Sequence, residues 1–166
     1  MMFSRRTAHL LHEDHQATIV VIEALDQLLA RARRKMPDTG DAAVRRTLEN
    51  ASGTIQDEIG THFAFEENEL FTRLEDMGDA AIGAHLREEH AALLPLGREV
   101  AQLARTALDQ GFDAQSWARF RAMAGDLVER MLMHIQKEEM ALLPALDELL
   151  DDDDDLELST RYAENH

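Results

Sequence analysis

Apolar residues recur along this chain at spacings of three, four and seven, and nothing alternates with period two over a useful length. Leu, Ala, Glu, Arg and Met dominate and β-branched residues are few, so propensity and periodicity agree on helix. Breakers divide the pattern into four long runs. The stretch PDTG at 37–40 closes the first, Gly78 the second and DQGFD at 109–113 the third, with Asp113 placed to cap the fourth. The pattern predicts helices over about 7–35, 41–77, 79–108 and 114–150. Short connections favour antiparallel neighbours, so residues 1–150 are expected to form an all-α, up-down-up-down antiparallel four-helix bundle. Pro95 and Pro144 fall inside predicted helices and should kink them or interrupt the backbone ladder. From Asp151 onward, DDDDDLELSTRYAENH reads as a solvated acidic C-terminal tail over 151–166, with a disordered end.

The pattern is written twice. LHEDHQA at 11–17 corresponds to LREEHAA at 86–92, and HFAFEENELF at 62–71 corresponds to HIQKEEMALL at 134–143. Each copy carries one histidine on its first helix (His15, His90) and an HxxxE pair on its second (His62 with Glu66, His134 with Glu138). Internal duplication of a helical hairpin, with a pseudo-twofold axis relating the halves, is the expected origin of the bundle. Helix arithmetic tests whether these residues can meet. His15 and His62 lie about 20 residues on either side of the first turn, roughly 30 Å from that end at 1.5 Å per residue. The same count about the other two turns brings His90 and His134, with Glu66 and Glu138, to that level. Their stripes face inward as well: His15 aligns with Leu11, Ile19, Ile22 and Leu29, and His90 with Leu86, Leu93, Leu94 and Ala101. His62 is flanked by Ile55, Ile59 and Phe65, and His134 by Leu127, Met131, Ala141 and Leu142. A buried carboxylate beside imidazoles is costly unless it is paired or binds a cation. Four imidazoles and two carboxylates at one level therefore imply bound metal, best as two ions.

Composition narrows the chemistry. With 166 residues and 45% hydrophobic content the chain is long enough for one domain with its own core. Cysteine is absent, which removes disulfides, thiolate zinc sites and iron–sulfur ligation. A net charge of −16 disfavours nucleic acid. No apolar run approaches the roughly 20 residues of a membrane span, and MMFSRR lacks the apolar stretch of a secretory signal, so a cytoplasmic location is expected. Imidazole and carboxylate ligands without sulfur suit iron, manganese or zinc and disfavour magnesium and calcium. A carboxylate from each half, aimed at the pseudo-axis, is placed to bridge two ions. Of the other histidines, His9 has Glu13 and Gln16 as face neighbours and reads as a solvent residue. His85, beside Glu88 and Glu89, reads the same way. His12 adjoins His15 and is either a surface residue, an extra ligand or a donor behind the ligands.

His15, His62-xxx-Glu66, His90 and His134-xxx-Glu138, with the flanking EExxLF and EExxLLP phrases, resemble the hemerythrin-like HHE cation-binding domain over about residues 8–150. The resemblance implies a four-helix bundle around a non-haem di-iron centre, with Glu66 and Glu138 as bridging carboxylates. It further implies binding of, or reaction with, oxygen, nitric oxide or peroxide in stress response or sensing, with peroxide decomposition as a conceivable side activity. The chain departs from the oxygen-carrying members in two places. The residue four before His90 is Leu86 rather than a second histidine, and a His–carboxylate spacing of five would select Glu139 over Glu138. Glu138 is preferred because it repeats the Glu66 spacing. One histidine fewer leaves an open position on one iron unless His12, His85 or Glu89 fills it. An open position favours capture of a diatomic or peroxide over oxygen carriage. Iron storage or donation is the alternative, with the Asp-rich tail as a capture site. No feature of the sequence identifies an electron donor, and exposed Phe and Leu near helix ends are compatible with either a monomer or a homodimer.

Overall fold

The structure, a computed structural model, describes residues 3–165; Met1, Met2 and His166, the outermost residues of the expected bundle and tail, lie outside it. The described residues form five helices and no strand: α1 (Arg6–Arg31), α2 (42–76), α3 (Ala81–Gln110), α4 (114–149) and α5 (Asp152–Asn165). The four long helices make a bundle in which α1 packs on α2 and α4, and α3 packs on α2 and α4. The breaks fall where the sequence places them. Gly78 and Gly111 adopt φ of 93° and 75°, the left-handed conformation that ends a helix cheaply only at glycine. Asp113 caps α4 in a reciprocal box, accepting from the Ser116 amide at 2.7 Å while its own amide donates to Ser116 Oγ at 2.9 Å.

Three local expectations change. Helix α1 stops at Arg31 rather than near 35, because beyond Ala32 the run Arg33-Arg34-Lys35 offers no apolar side chain to bury. Helices α2 and α4 contain wide π-helical turns at Glu58–His62, Glu66–Leu70 and Glu138–Leu142, in which the amides of Phe63, Phe71 and Leu143 reach back five residues to Glu58, Glu66 and Glu138. Each such turn inserts a residue and rotates the side chains C-terminal to it about the helix axis. Ala141, expected on the His134 stripe, is consequently exposed while Leu142 and Leu143 are buried. Helix α3 runs on through Pro95, which sits on the exposed side where water can serve the carbonyl that has lost its donor.

A further change is the acidic tail, which is a helix. Leu158 and Tyr162, four apart on one face of α5, are buried beside Phe65 and the end of α4. The aspartates are engaged rather than free. Asp151 caps α5 through the Asp154 amide at 2.7 Å, Asp152 pairs with Arg5 and Asp154 with Arg73, each at 2.5 Å. Asp155 accepts from the amides of Arg6 and Thr7 at 2.9 and 2.8 Å, capping α1 from the other end of the chain. These contacts hold its carboxyl below the usual range: burial alone raises it, and the bonds from Thr7 and Arg6 outweigh burial. Replacing Asp155 with Ala removes this cap, worth about 1 kcal/mol. The expected fall in Tm is ~2–4 °C, read by circular dichroism.

The core divides into two apolar clusters. One holds Ile22, Ile59, Leu93, Met131 and Ile135; the other holds Leu11, Leu70, Leu86, Leu142 and Tyr162. Each long helix leaves one cluster and enters the other across a histidine, which places a polar layer between two dry ones.

Candidate metal centre

That layer contains all six residues singled out by the duplicated pattern. His15, His62, Glu66, His90, His134 and Glu138 are each at most 3% exposed. They form two groups, His15–His62–Glu66–Glu138 and Glu66–His90–His134–Glu138, in each of which one ligand atom per residue lies within 4.8 Å of the others. The two carboxylates are common to both groups. Glu138 Oε1 is 3.1 Å from His15 Nε2 and 3.5 Å from His134 Nε2. Glu66 stands 3.6 Å from His62 Nε2 through one oxygen and 3.3 Å from His90 Nε2 through the other. Phe63 lies flat on His90 at 3.8 Å, and His90 and His134 approach to 3.1 Å between Nε2 atoms.

The imidazoles are oriented from behind. His62 Nδ1 faces Asp14 at 2.7 Å, His134 Nδ1 faces Glu89 at 2.8 Å, His15 Nδ1 faces Glu139 at 3.3 Å and His90 Nδ1 faces Glu67 at 3.7 Å. With an acid facing every Nδ1, every Nε2 is turned inward, the arrangement in which carboxylates position metal-binding histidines. The acids are secured in turn: Glu89 by Lys137, Glu139 by His12, and Asp14 by Tyr162 of α5. His12 thus stands behind Glu139 rather than in the cluster. His9 and His85 are half exposed, paired with Glu13 and Glu89 respectively.

Electrostatics describe a site short of positive charge. Burial and the Glu138 carboxylate push Glu66 well above the usual range. For Glu138, burial acts upward but is outweighed by Glu66 and His15, which hold it low. The two neighbouring carboxyls are thus pushed in opposite directions. Burial alone lowers His15, yet Glu138 and Glu139 lift it to about 10, whereas burial and the neighbouring His134 drop His90 to about 3. His62 Nε2, both oxygens of Glu66 and Glu138 Oε2 are buried without any hydrogen bond. Each unmet group costs about 1–3 kcal/mol, and cations held in the two groups would satisfy them. The donor set fits a metal.

Residues 6–146 match the family model of the hemerythrin HHE cation binding domain. The chain belongs to this family. No curated protein matches it. It is a metal-binding hemerythrin-like protein, in which the buried His/Glu groups are those that could hold the cation. Among the described residues of this hemerythrin-like chain, no helix is long and apolar enough to cross a membrane.

Two features escaped the sequence pattern. The acids behind the histidines had a signal: an acid precedes both His15 and His90, and a second glutamate follows both Glu66 and Glu138. Glu58 had none. It is 3% exposed and lies beside His62, but the position 72 residues on holds Arg130.

Proposed function

We propose that this protein houses a non-haem di-iron centre that binds or reacts with a small ligand, oxygen, nitric oxide or peroxide, in a stress-response or sensing role. His15 and His62 hold one iron, His90 and His134 hold the other, and Glu66 and Glu138 bridge them. The observation that carries the reading is the pair of buried four-residue groups sharing the same two carboxylates. Manganese or zinc would satisfy the same donors; a bridged pair in a helical bundle favours iron or manganese. The cross-matched acids support an antiparallel, duplicated architecture over residues 1–150: Asp14 and Glu89 serve the second histidine of their own hairpins, while Glu139 and Glu67 serve the first histidine of the opposite one.

The bound iron would supply redox and ligand-binding chemistry; the chain fixes the imidazoles, excludes water with Phe63 and neighbouring leucines, and retains protons on the Nδ1 side. Iron storage or donation is the alternative, and the engaged Asp152, Asp154 and Asp155 weaken the capture site on which it relied.

Metal analysis of protein made in iron-replete cells should return about two irons per chain. Peroxide turnover without loss of iron supports the reactive centre; release to a chelator on reduction supports donation. His62→Ala and His134→Ala should each reduce the iron content to about half or less while leaving the helical circular dichroism intact, because the apolar stripes remain. Full iron occupancy in both variants would remove the assignment.

A further inference from the structure

Glu58 begins the first π-helical turn of α2, buried one helical turn before His62. Its Oε2 accepts from Thr18 Oγ1 at 3.4 Å. Its Oε1 is buried with no hydrogen bond and lies 3.7 Å from His62 Nε2, itself without one. Glu66 Oε2, also without one, is 3.6 Å from that same nitrogen. Two atoms that each bind one ion at about 2.1 Å are ~3.0–3.4 Å apart at octahedral or tetrahedral angles, so a shift of a few tenths of an ångström brings Glu58 into a common coordination sphere with His62 and Glu66. Asp14 also groups with Glu58 and His62, but it bonds Nδ1 on the far edge of the ring and orients the imidazole.

The bland alternative is a neutral buried acid satisfied by Thr18. It leaves Oε1 orphaned, and it gives no reason for the contrast between the halves. Where the first half has Thr18 the second has buried Leu93, and where it has Glu58 the second has Arg130, exposed and paired with Asp126 at 2.9 Å. The polar niche exists on one side only.

We propose, resting on the di-iron reading, that Glu58 completes the coordination of the ion held by His15 and His62 and thereby directs the small ligand to the ion held by His90 and His134. The two metal positions of a nearly symmetric scaffold become unequal. A surface cleft reaches Glu58 and His62 between Asp14, Thr18 and Thr61, and a matching cleft reaches His134 between Glu89, Met133 and Lys137. The two clefts are alike in reaching the Nδ1 edge of an imidazole, where Asp14 and Glu89 stand, so it is Glu58 rather than access from outside that makes the two ions differ.

The test uses iron-loaded full-length protein, Glu58→Leu and Thr18→Val, with azide as the probe. The wild type should show two distinct ferric Mössbauer doublets and saturate at one azide per iron pair. Glu58→Leu should weaken one iron at least tenfold in chelator competition and raise azide saturation to two per pair where both irons are retained. Thr18→Val, which keeps the acid but frees its anchor, should move the same readouts in the same direction by less. If Glu58→Leu does not fold in the metal-free state, Thr18→Val decides. Two irons in the wild type with unchanged affinity, doublets and azide count in the deciding variant would overturn this inference and leave the di-iron reading standing. Two azides per pair in the wild type would do the same. A wild type that never holds two irons would overturn both.

Discussion

Replacing Glu138 with Ala is expected to abolish the near-ultraviolet bands of a bridged ferric pair and their response to azide or peroxide, with part of the iron retained by the imidazoles. Glu139→Ala should preserve those bands. The two glutamates are neighbours in sequence and differ in aim. Glu138 faces His15 Nε2 and His134 Nε2 inside the layer, while Glu139 sits behind His15, against Nδ1 and His12. Loss of a bridge removes charge neutralisation from both ions and frees their separation. Loss of an acid behind a ligand typically costs 10–100-fold in metal affinity, which chelator competition would register without a change of spectrum. The opposite result, bands lost in Glu139→Ala and kept in Glu138→Ala, would transfer the bridging role to the five-residue spacing.

Metal loading should raise Tm by about 15–30 °C, reversibly on chelation. The metal-free layer holds buried donors with no hydrogen bond and two adjacent buried carboxyls. An ion that binds only the folded chain at a thousand times its Kd contributes about 4 kcal/mol, and two contribute about twice that. For a domain of this length 1 kcal/mol corresponds to ~2–4 °C. Scanning calorimetry of metal-free and reloaded protein reads the difference directly. A shift of less than a few degrees would mean that the layer is stable as it stands and that the cation is incidental. In Glu66→Leu the metal-dependent increment should vanish while the metal-free protein gains stability, since an apolar side chain replaces a buried acid.

Helices and their ends were legible because periodicity, glycine and proline act locally. Gly78 and Gly111 needed no tertiary information to end a helix. The six cluster residues were legible for a different reason: a phrase that occurs twice removes coincidence, and level-matching across turns converts sequence separation into height. Contacts that depend on packing were not. The π-helical turns leave no mark in composition, although adjacent buried pairs such as Leu70–Phe71 and Leu142–Leu143 are their trace in the pattern. Five consecutive aspartates read as solvated only while their partners are unknown; Arg5, Arg73 and the open amides of α1 supply those partners from remote parts of the chain. Glu58 was hidden because the repeated phrase that pointed to the six cluster residues has no copy of it: the position 72 residues on is Arg130.

The capping of α1 by Asp155 has a consequence for how the protein is made. His15 is made well before Asp155, and the amides of Arg6 and Thr7 wait for a carboxylate 149 and 148 positions later. At about 5–20 residues per second, translation separates the two events by about 7–30 s. Through most of that interval, until His134 and Glu138 are made, a nascent chain offers only one complete hairpin of donors, with its imidazoles unaligned and open to water. Iron acquired then would be held loosely in contact with solvent and oxidants. Closure of the centre waits for Glu138, the last of the six residues, and is then secured by the Asp155 cap that follows it, rather than beginning when the first donor emerges.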